Sequence, residues 1–194
     1  MVSVRGMVVD VDMTASDPGN FYTNPGSLPH PGYTAGAGIA LEATGGDFAG
    51  FSLLGWGVSA RSSADDEIAI ATGQDATAVW QAAGDPGPSR VRITLDVNRH
   101  GGTPIWIECD VEDTGTYSIP SALVDELIEF GLSGFPTLTL SRRTTDSATI
   151  APGCVELHVV SDVVLDVSVP GLSSCTEDED CTEPQTCQAD LSCG

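Results

Sequence analysis

The architecture of this chain is most clearly indicated by two segments, Val91-Arg-Ile-Thr-Leu-Asp-Val97 and Ile105-Trp-Ile-Glu-Cys-Asp110. Apolar and polar residues alternate in both segments, which is the two-residue period of a strand with one buried face. A glycine-containing turn at 99–103 joins them, so the pair is predicted to form a β-hairpin. The candidate ligand-binding residues lie on its outer face and are Arg92, Asp96, Trp106, Glu108 and Asp110.

Short strands of the same kind recur between turns rich in glycine, proline, aspartate and asparagine. They are predicted at 4–13, 38–43, 48–59, 67–72, 76–81, 137–141, 155–159 and 163–169. Regularly spaced short strands favour an all-β fold, specifically an antiparallel β-sandwich of the Greek-key or jelly-roll type.

One segment has a helical period instead. Pro120 suits the first turn of a helix, Leu123, Leu127 and Phe130 recur at helical spacing, and Gly131 is placed to end it. We therefore predict a single short helix within the sandwich domain.

The composition changes near Pro170. The segment 173–194 holds six of the 28 acidic residues, none of the seven arginines and four of the six cysteines. This predicts a β-sandwich domain over 1–170 followed by an acidic, cysteine-rich tail over 173–194.

The cysteines indicate disulfides. Those of the tail follow a C-x5-C-x5-C-x5-C spacing, whereas zinc sites usually use closer pairs. An even number of clustered cysteines fits an oxidising compartment. Cys109 and Cys154 are expected to form a disulfide with each other. One observation does not fit, because Cys154 lies at the alternating positions of its strand that hold polar residues. The pairing of the four tail cysteines stays open. The tail cysteines are Cys175, Cys181, Cys187 and Cys193.

The net charge excludes some classes of partner, whereas the cellular location has to be inferred from the cysteines and from the absence of certain sequence segments. The formal net charge is −21 and no lysine is present, so binding to nucleic acid or an anionic membrane surface is excluded. No apolar run is long enough for a transmembrane helix, and Met1 to Asp12 is not a secretory signal. We expect an exported protein of the extracellular space or cell envelope whose signal or lipid anchor lies outside this chain.

Catalytic motifs are not found. Asp113-Thr-Gly115 matches the tripeptide of aspartic proteases, but those enzymes need a second carboxylate and no second copy occurs. The serines do not form a G-x-S-x-G elbow, and the three histidines are scattered. The protein is predicted not to be an enzyme; the alternative is a hydrolase with Asp113 as nucleophile or base.

No organic cofactor is predicted. Calcium is the candidate metal ion, because clustered carboxylates on loops supply the oxygen ligands that it prefers. The metal-ligating candidates are Asp65, Asp66 and Glu67, and none of the acidic clusters matches an EF-hand loop. Solvated surface carboxylates are the simpler interpretation.

Trp106 raises the question of carbohydrate. Exposed tryptophans on sheet faces can stack on sugar rings, and Trp106 shares its face with Glu108 and Asp110. An indole at such a position is more often covered by a loop or a helix, which would leave no site.

The tail Cys175-Thr-Glu-Asp-Glu-Asp-Cys181 through Cys193 resembles short C-x2-D-x-D-C modules at the ends of exported proteins and lipoproteins of high-GC, predatory, myxobacterial-type bacteria. Trp80, Arg90 to Leu95, Ile107 to Gly115, Ile119-Pro120, Leu123 to Leu127 and Leu140-Ser-Arg142 are similar to an uncharacterised exported β-sandwich domain that accompanies such tails. The resemblance implies export and assigns no reaction.

These observations together predict a non-enzymatic binding or structural module that takes a glycan or a protein at the cell surface. A second hypothesis is a fibre subunit, in which a strand at 4–13 or 163–169 adds to a neighbouring molecule.

Overall fold

The computed structural model describes residues 1–19, 21–24, 26–60, 66–84, 89–98, 104–151 and 153–194. Strands dominate this part of the chain, and one α-helix accompanies them, which confirms the all-β prediction with a single short helix. The elements are β1 Val2–Arg5, β2 Val11–Met13, β3 Ala15–Ser16, β4 Phe21–Tyr22, β5 Gly38–Ala43, β6 Phe51–Trp56, β7 Glu67–Ala69, β8 Ala76–Val79, β9 Arg90–Asp96, β10 Trp106–Glu112, β11 Thr116–Ile119, α1 Ser121–Glu129, β12 Thr137–Ile150, β13 Gly153–Ser168 and a 3-10 turn Asp178–Asp180.

The chain divides into two compact units. Unit 1 comprises Met1–Ala60, Ala83–Arg90 and Arg142–Ser161, and unit 2 comprises Arg61–Ala82, Val91–Ser141 and Asp162–Gly194. The two longest strands, β12 and β13, each contribute residues to both units.

Unit 1 contains an antiparallel sheet in the order β2-β1-β5-β6 and the two-stranded pair β3-β4. Ile39 and Leu53 are buried on the inner face of the sheet. Gly55 is required there, because a Cβ atom at this position would lie 2.6 Å from Cγ2 of Val159.

Unit 2 contains a five-stranded sheet in the order β10-β9-β12-β13-β7 and the antiparallel pair β11-β8. Alternate residues of β9 are buried, as the sequence predicted, and they join one hydrophobic core with residues of β8, β11, α1, β12 and β13. The core therefore lies between two layers, with α1 contributing Val124 and Leu127. The pairing of β7 with β13 is parallel, in a sheet predicted to be antiparallel.

The tail is stapled by two interlaced disulfides, Cys175–Cys187 and Cys181–Cys193, which confirms cross-links in this region and selects one of the pairings left open. It is also part of unit 2. Gly134 N–H donates to the carbonyl of Asp190 at 2.8 Å. This backbone bond, with that of the Phe135 N–H to Oγ of Ser174 at 2.9 Å, docks the tail against the segment that precedes β12.

The expected bond between Cys109 and Cys154 is not present, because both thiols are free. Cys109 lies within β10 and packs against the core of unit 2. Cys154 lies on β13 in unit 1, on the exposed face of the strand with Glu156 and His158. In the sequence Cys109 alternates with polar residues and Cys154 lies among them. The structure agrees, since Cys109 packs against a core and Cys154 is exposed.

No helix in the described ranges combines the length and the apolar character needed to cross a membrane.

Candidate functional site

The outer face of the β9-β10 pair holds all five residues singled out as ligand-binding candidates. Their neighbours on the inner face, among them Ile107 and Cys109, pack against the core. Because side chains alternate along a strand, the candidates point away from that core. Arg92 and Asp96 are half-buried, and Trp106, Glu108 and Asp110 are exposed.

Trp106 is open to solvent. It is 55% exposed, so within the described residues neither a loop nor α1 covers the indole, in contrast to the covered alternative. An exposed indole offers a flat apolar surface and one N–H donor, the combination that suits a ligand with one apolar and one polar side.

Charged groups accompany the indole. Nε of Arg92 lies 3.3 Å from Oε1 of Glu108, which is close enough for an ion pair, although the N–H is not aligned for a hydrogen bond within the described residues. Asp96 accepts a hydrogen bond from the backbone N–H of Asn98 at 3.1 Å. Asp96 therefore holds the end of β9, while Arg92 and Glu108 present a donor and an acceptor to solvent.

Hydroxyl groups extend this face and were not singled out from the sequence. Leu138 and Leu140 are core residues of β12, the neighbour of β9, so the residues between them point to the outer face. The alternation of threonine and leucine along β12 was the signal that could have found them. The added hydroxyl residues are Thr94, Thr137, Thr139 and Ser141, all half-buried.

The proposed metal ligands are not gathered into a site in the described residues. Asp66 and Glu67 are exposed at the start of β7, and Asp65 lies outside the described residues. Where the chain is described, one group of three metal-ligating side chains is close enough to hold an ion, Cys175, Cys181 and Cys193. Their sulfurs are committed to disulfides.

Two other acidic residues, Asp12 and Asp113, have local hydrogen-bond partners. Oδ1 of Asp12 accepts hydrogen bonds from Oγ of Ser3 at 2.6 Å and from Nη2 of Arg5 at 2.5 Å. These bonds, that of Ser3 first, lower the pKa of the Asp12 carboxyl. Oδ1 of Asp113 accepts from the indole N–H of Trp80 at 2.8 Å. Asp113 therefore anchors a core tryptophan.

The two aspartates of the tail motif are hydrogen-bond acceptors. Oδ2 of Asp180 accepts from the backbone N–H and the hydroxyl of Thr176 at 2.8 and 2.9 Å and from the N–H of Glu177 at 3.3 Å. The backbone bond of Thr176 is the main reason that the pKa of Asp180 is lowered. Asp178 accepts from the N–H of Cys187 at 2.9 Å. Both carboxylates thus brace the loop between the disulfides.

Cys109 is not set up as a nucleophile. Burial raises the pKa of its thiol, and the charge of Glu108 acts in the same direction, whereas a hydrogen bond with Tyr117 partly opposes the shift. A thiol held in its neutral form is poorly reactive.

Comparison with protein families, with curated proteins and with solved structures finds no match to this chain.

Proposed function

We propose that this protein is a non-enzymatic binding module of the extracellular space or cell envelope, and that the outer face of β9, β10 and β12 binds a glycan. The observation that carries the proposal is the exposed indole of Trp106 on the same sheet face as the Arg92–Glu108 pair. We call this surface the tryptophan face.

The chemistry of this surface suits a sugar. A pyranose ring has an apolar C–H face that packs on an indole and a rim of hydroxyls that needs donors and acceptors. Glu108 and Asp110 accept hydrogen bonds from hydroxyls, and Arg92 donates to them. The hydroxyls of Thr94 and Thr139 continue the polar surface across the sheet.

Charge narrows the class of glycan. Exposed carboxylates line this surface, and the whole chain has a net charge of −21. A uronic-acid or sulfated polymer would be repelled. Neutral glycans, or those with free amino groups, are the expected ligands.

The disulfides support an exported location. Interlaced bonds such as Cys175–Cys187 and Cys181–Cys193 persist in oxidising compartments. The alternative fibre hypothesis gains no such support, because β1 lies between β2 and β5 and β13 lies between β12 and β7. Of the segments expected to donate a strand, 163–169 is paired on both sides at Asp166–Ser168. The segment 4–13 also contains β2, the last strand of its sheet, and in the described residues no strand pairs with its other side.

A glycan array followed by calorimetric titration tests the proposal. Trp106→Ala should weaken binding of any hit about fivefold or more, on the scale of the about 1–3 kcal/mol that the stacking of a planar ring on an aromatic side chain contributes. Phe130→Ala is the matched control, because Phe130 is an exposed aromatic in the same unit, at the end of α1 and off this face. A silent array of neutral and amino glycans, or equal losses in both variants, would overturn the proposal.

A further inference from the structure

Two strands that follow each other in the chain, β7 and β8, belong to different sheets and leave a cleft between them. Strand β7 pairs with β13, and β8 pairs with β11. The cleft has a volume of about 280 Å³. Its floor is formed by the buried side chains of Ile68, Ala78 and Leu165. All of these residues belong to unit 2.

The backbone of β7 offers unused hydrogen-bonding groups to this cleft. The carbonyl of Asp66 and the N–H of Ile70 bond to β13, at 3.1 and 2.9 Å. In a strand the next residue directs its backbone groups to the opposite side, so those of Glu67 and Ala69 point away from β13. Strand β7 is the last strand of its sheet. In the described part of the chain, no hydrogen bond connects this edge of β7 to another strand.

The loop between the two strands is fixed to α1 by two hydrogen bonds. Oδ1 of Asp75 accepts a hydrogen bond from the N–H of Ser121 at 2.8 Å. Oδ1 of Asp125 accepts one from the N–H of Gly73 at 2.7 Å. These bonds fix the loop at the end of the cleft before any ligand arrives.

The residues that line the cleft are apolar or acidic, apart from the neutral polar Thr77. Glu67 stands on one wall and Asp75 on the other, and no basic side chain lines the cleft in the described residues. An apolar floor between two carboxylates fits a lysine or arginine side chain, whose alkyl stem packs on apolar surface while its charged end stays near solvent.

We propose that this cleft binds an extended peptide carrying a lysine or arginine, which adds as a strand to the open edge of β7. Main-chain hydrogen bonds to Glu67 and Ala69 would supply affinity, and the two carboxylates would supply selectivity for a basic side chain. A second copy of this chain is a poor occupant, because each copy carries a net charge of −21. The site lies at the opposite edge of the five-stranded sheet from β10, so it is separate from the tryptophan face.

The test uses the full chain, isotopically labelled, and two short blocked peptides that alternate valine with lysine or valine with glutamate. The lysine peptide should shift the amide resonances of Glu67, Ala69 and Thr77 at low salt, and the glutamate peptide should not. Glu67→Gln combined with Asp75→Asn should weaken binding at least tenfold, since the pair loses its charge while position 75 keeps an acceptor for Ser121.

Ala69→Pro removes the outward N–H without touching the ladder to β13, and proline is tolerated in edge strands. It should abolish the shifts, and an unchanged melting temperature would show that it folds. Trp106→Ala should leave the shifts intact, which separates this proposal from the glycan proposal. No shift at millimolar lysine peptide, equal binding of both peptides, shifts caused by calcium chloride alone, or self-association that Ala69→Pro abolishes would each overturn the proposal.

Discussion

Thr144 satisfies both backbone polar groups of Trp56. Its Oγ1 accepts a hydrogen bond from the N–H of Trp56 at 3.0 Å and donates one to the carbonyl of the same residue at 2.8 Å. Oδ2 of Asp146 accepts from the N–H of Leu54 at 2.8 Å. Side chains of β12 therefore occupy the edge of β6 and block the addition of a further strand there.

Thr144→Val should lower the free energy of unfolding by about 1–3 kcal/mol. Valine has the shape of threonine, but at this buried position it leaves the backbone N–H and carbonyl of Trp56 without their hydrogen-bond partner. The urea midpoint measures the loss. Thr145→Val is the control: Thr145 lies on the exposed face of the same strand and bonds to Nδ1 of His158. Equal midpoints for the two variants would contradict a structural role for the bonds to Trp56.

Those features of the fold that follow from the local alternation of apolar and polar residues could be predicted from the sequence. Burial at Val91, Ile93 and Leu95 and exposure at Glu108 follow from the two-residue period. Long-range features have no such signal. The capping of Trp56 by Thr144 joins residues 88 positions apart, and the parallel pairing of β7 with β13 depends on which distant strand completes the core.

The candidate site divides in the same way. The alternation of side chains along β10 predicted that Trp106 and Glu108 share one face of the strand. The exposure of the indole could not be predicted in this way, because it depends on whether a distant segment covers it. The cleft beside β7 was not predicted, because strands at 67–72 and 76–81 separated by a short turn resemble an ordinary hairpin. In the structure the two strands join different sheets, and the bonds of Gly73 and Ser121 to Asp125 and Asp75 tie the loop between them to α1.

Gly134→Ala should detach the tail from unit 2. A Cβ atom at this position would lie 1.9 Å from the carbonyl oxygen of Leu191, so backbone must move to admit it. Hydrogen exchange of the amides of Cys175 and Cys193, which bond within the tail and to its first residues, should accelerate. Gly46→Ala is the control, since its Cβ would meet open space. Unchanged tail protection in Gly134→Ala would contradict the docking.

Alkylation should distinguish the two free thiols. Cys154 is exposed, whereas Cys109 is half-buried and burial raises its pKa, so less of it is thiolate at pH 8. With iodoacetamide and no reductant, we expect rapid labelling of Cys154 and labelling of Cys109 roughly tenfold slower or more. Peptide mass mapping identifies each site. Native protein in which neither thiol is labelled would instead indicate the Cys109–Cys154 disulfide.

Acid should loosen the loop between the disulfides. The pKa of Asp180 is lowered by its bonds to Thr176 and Glu177. A carboxylate with a depressed pKa contributes stability above its unfolded pKa, and this contribution is lost as the pH falls through the folded value. The amide resonance of Thr176 should follow that titration. Asp180→Asn should abolish the pH dependence and Glu179→Gln should retain it; a Thr176 shift that persists in Asp180→Asn would assign it to another group.

Exchanging the charges of Arg92 and Glu108 should separate stability from ligand binding. An exposed ion pair contributes at most about 1 kcal/mol, and the pair survives in reversed order in the Arg92→Glu, Glu108→Arg double variant. Its urea midpoint should therefore stay close to that of the native chain. Any glycan recognised on the tryptophan face should bind at least tenfold more weakly, because donor and acceptor have changed places around its hydroxyls. Retained affinity together with a lowered midpoint would show that the pair serves the fold instead of the ligand.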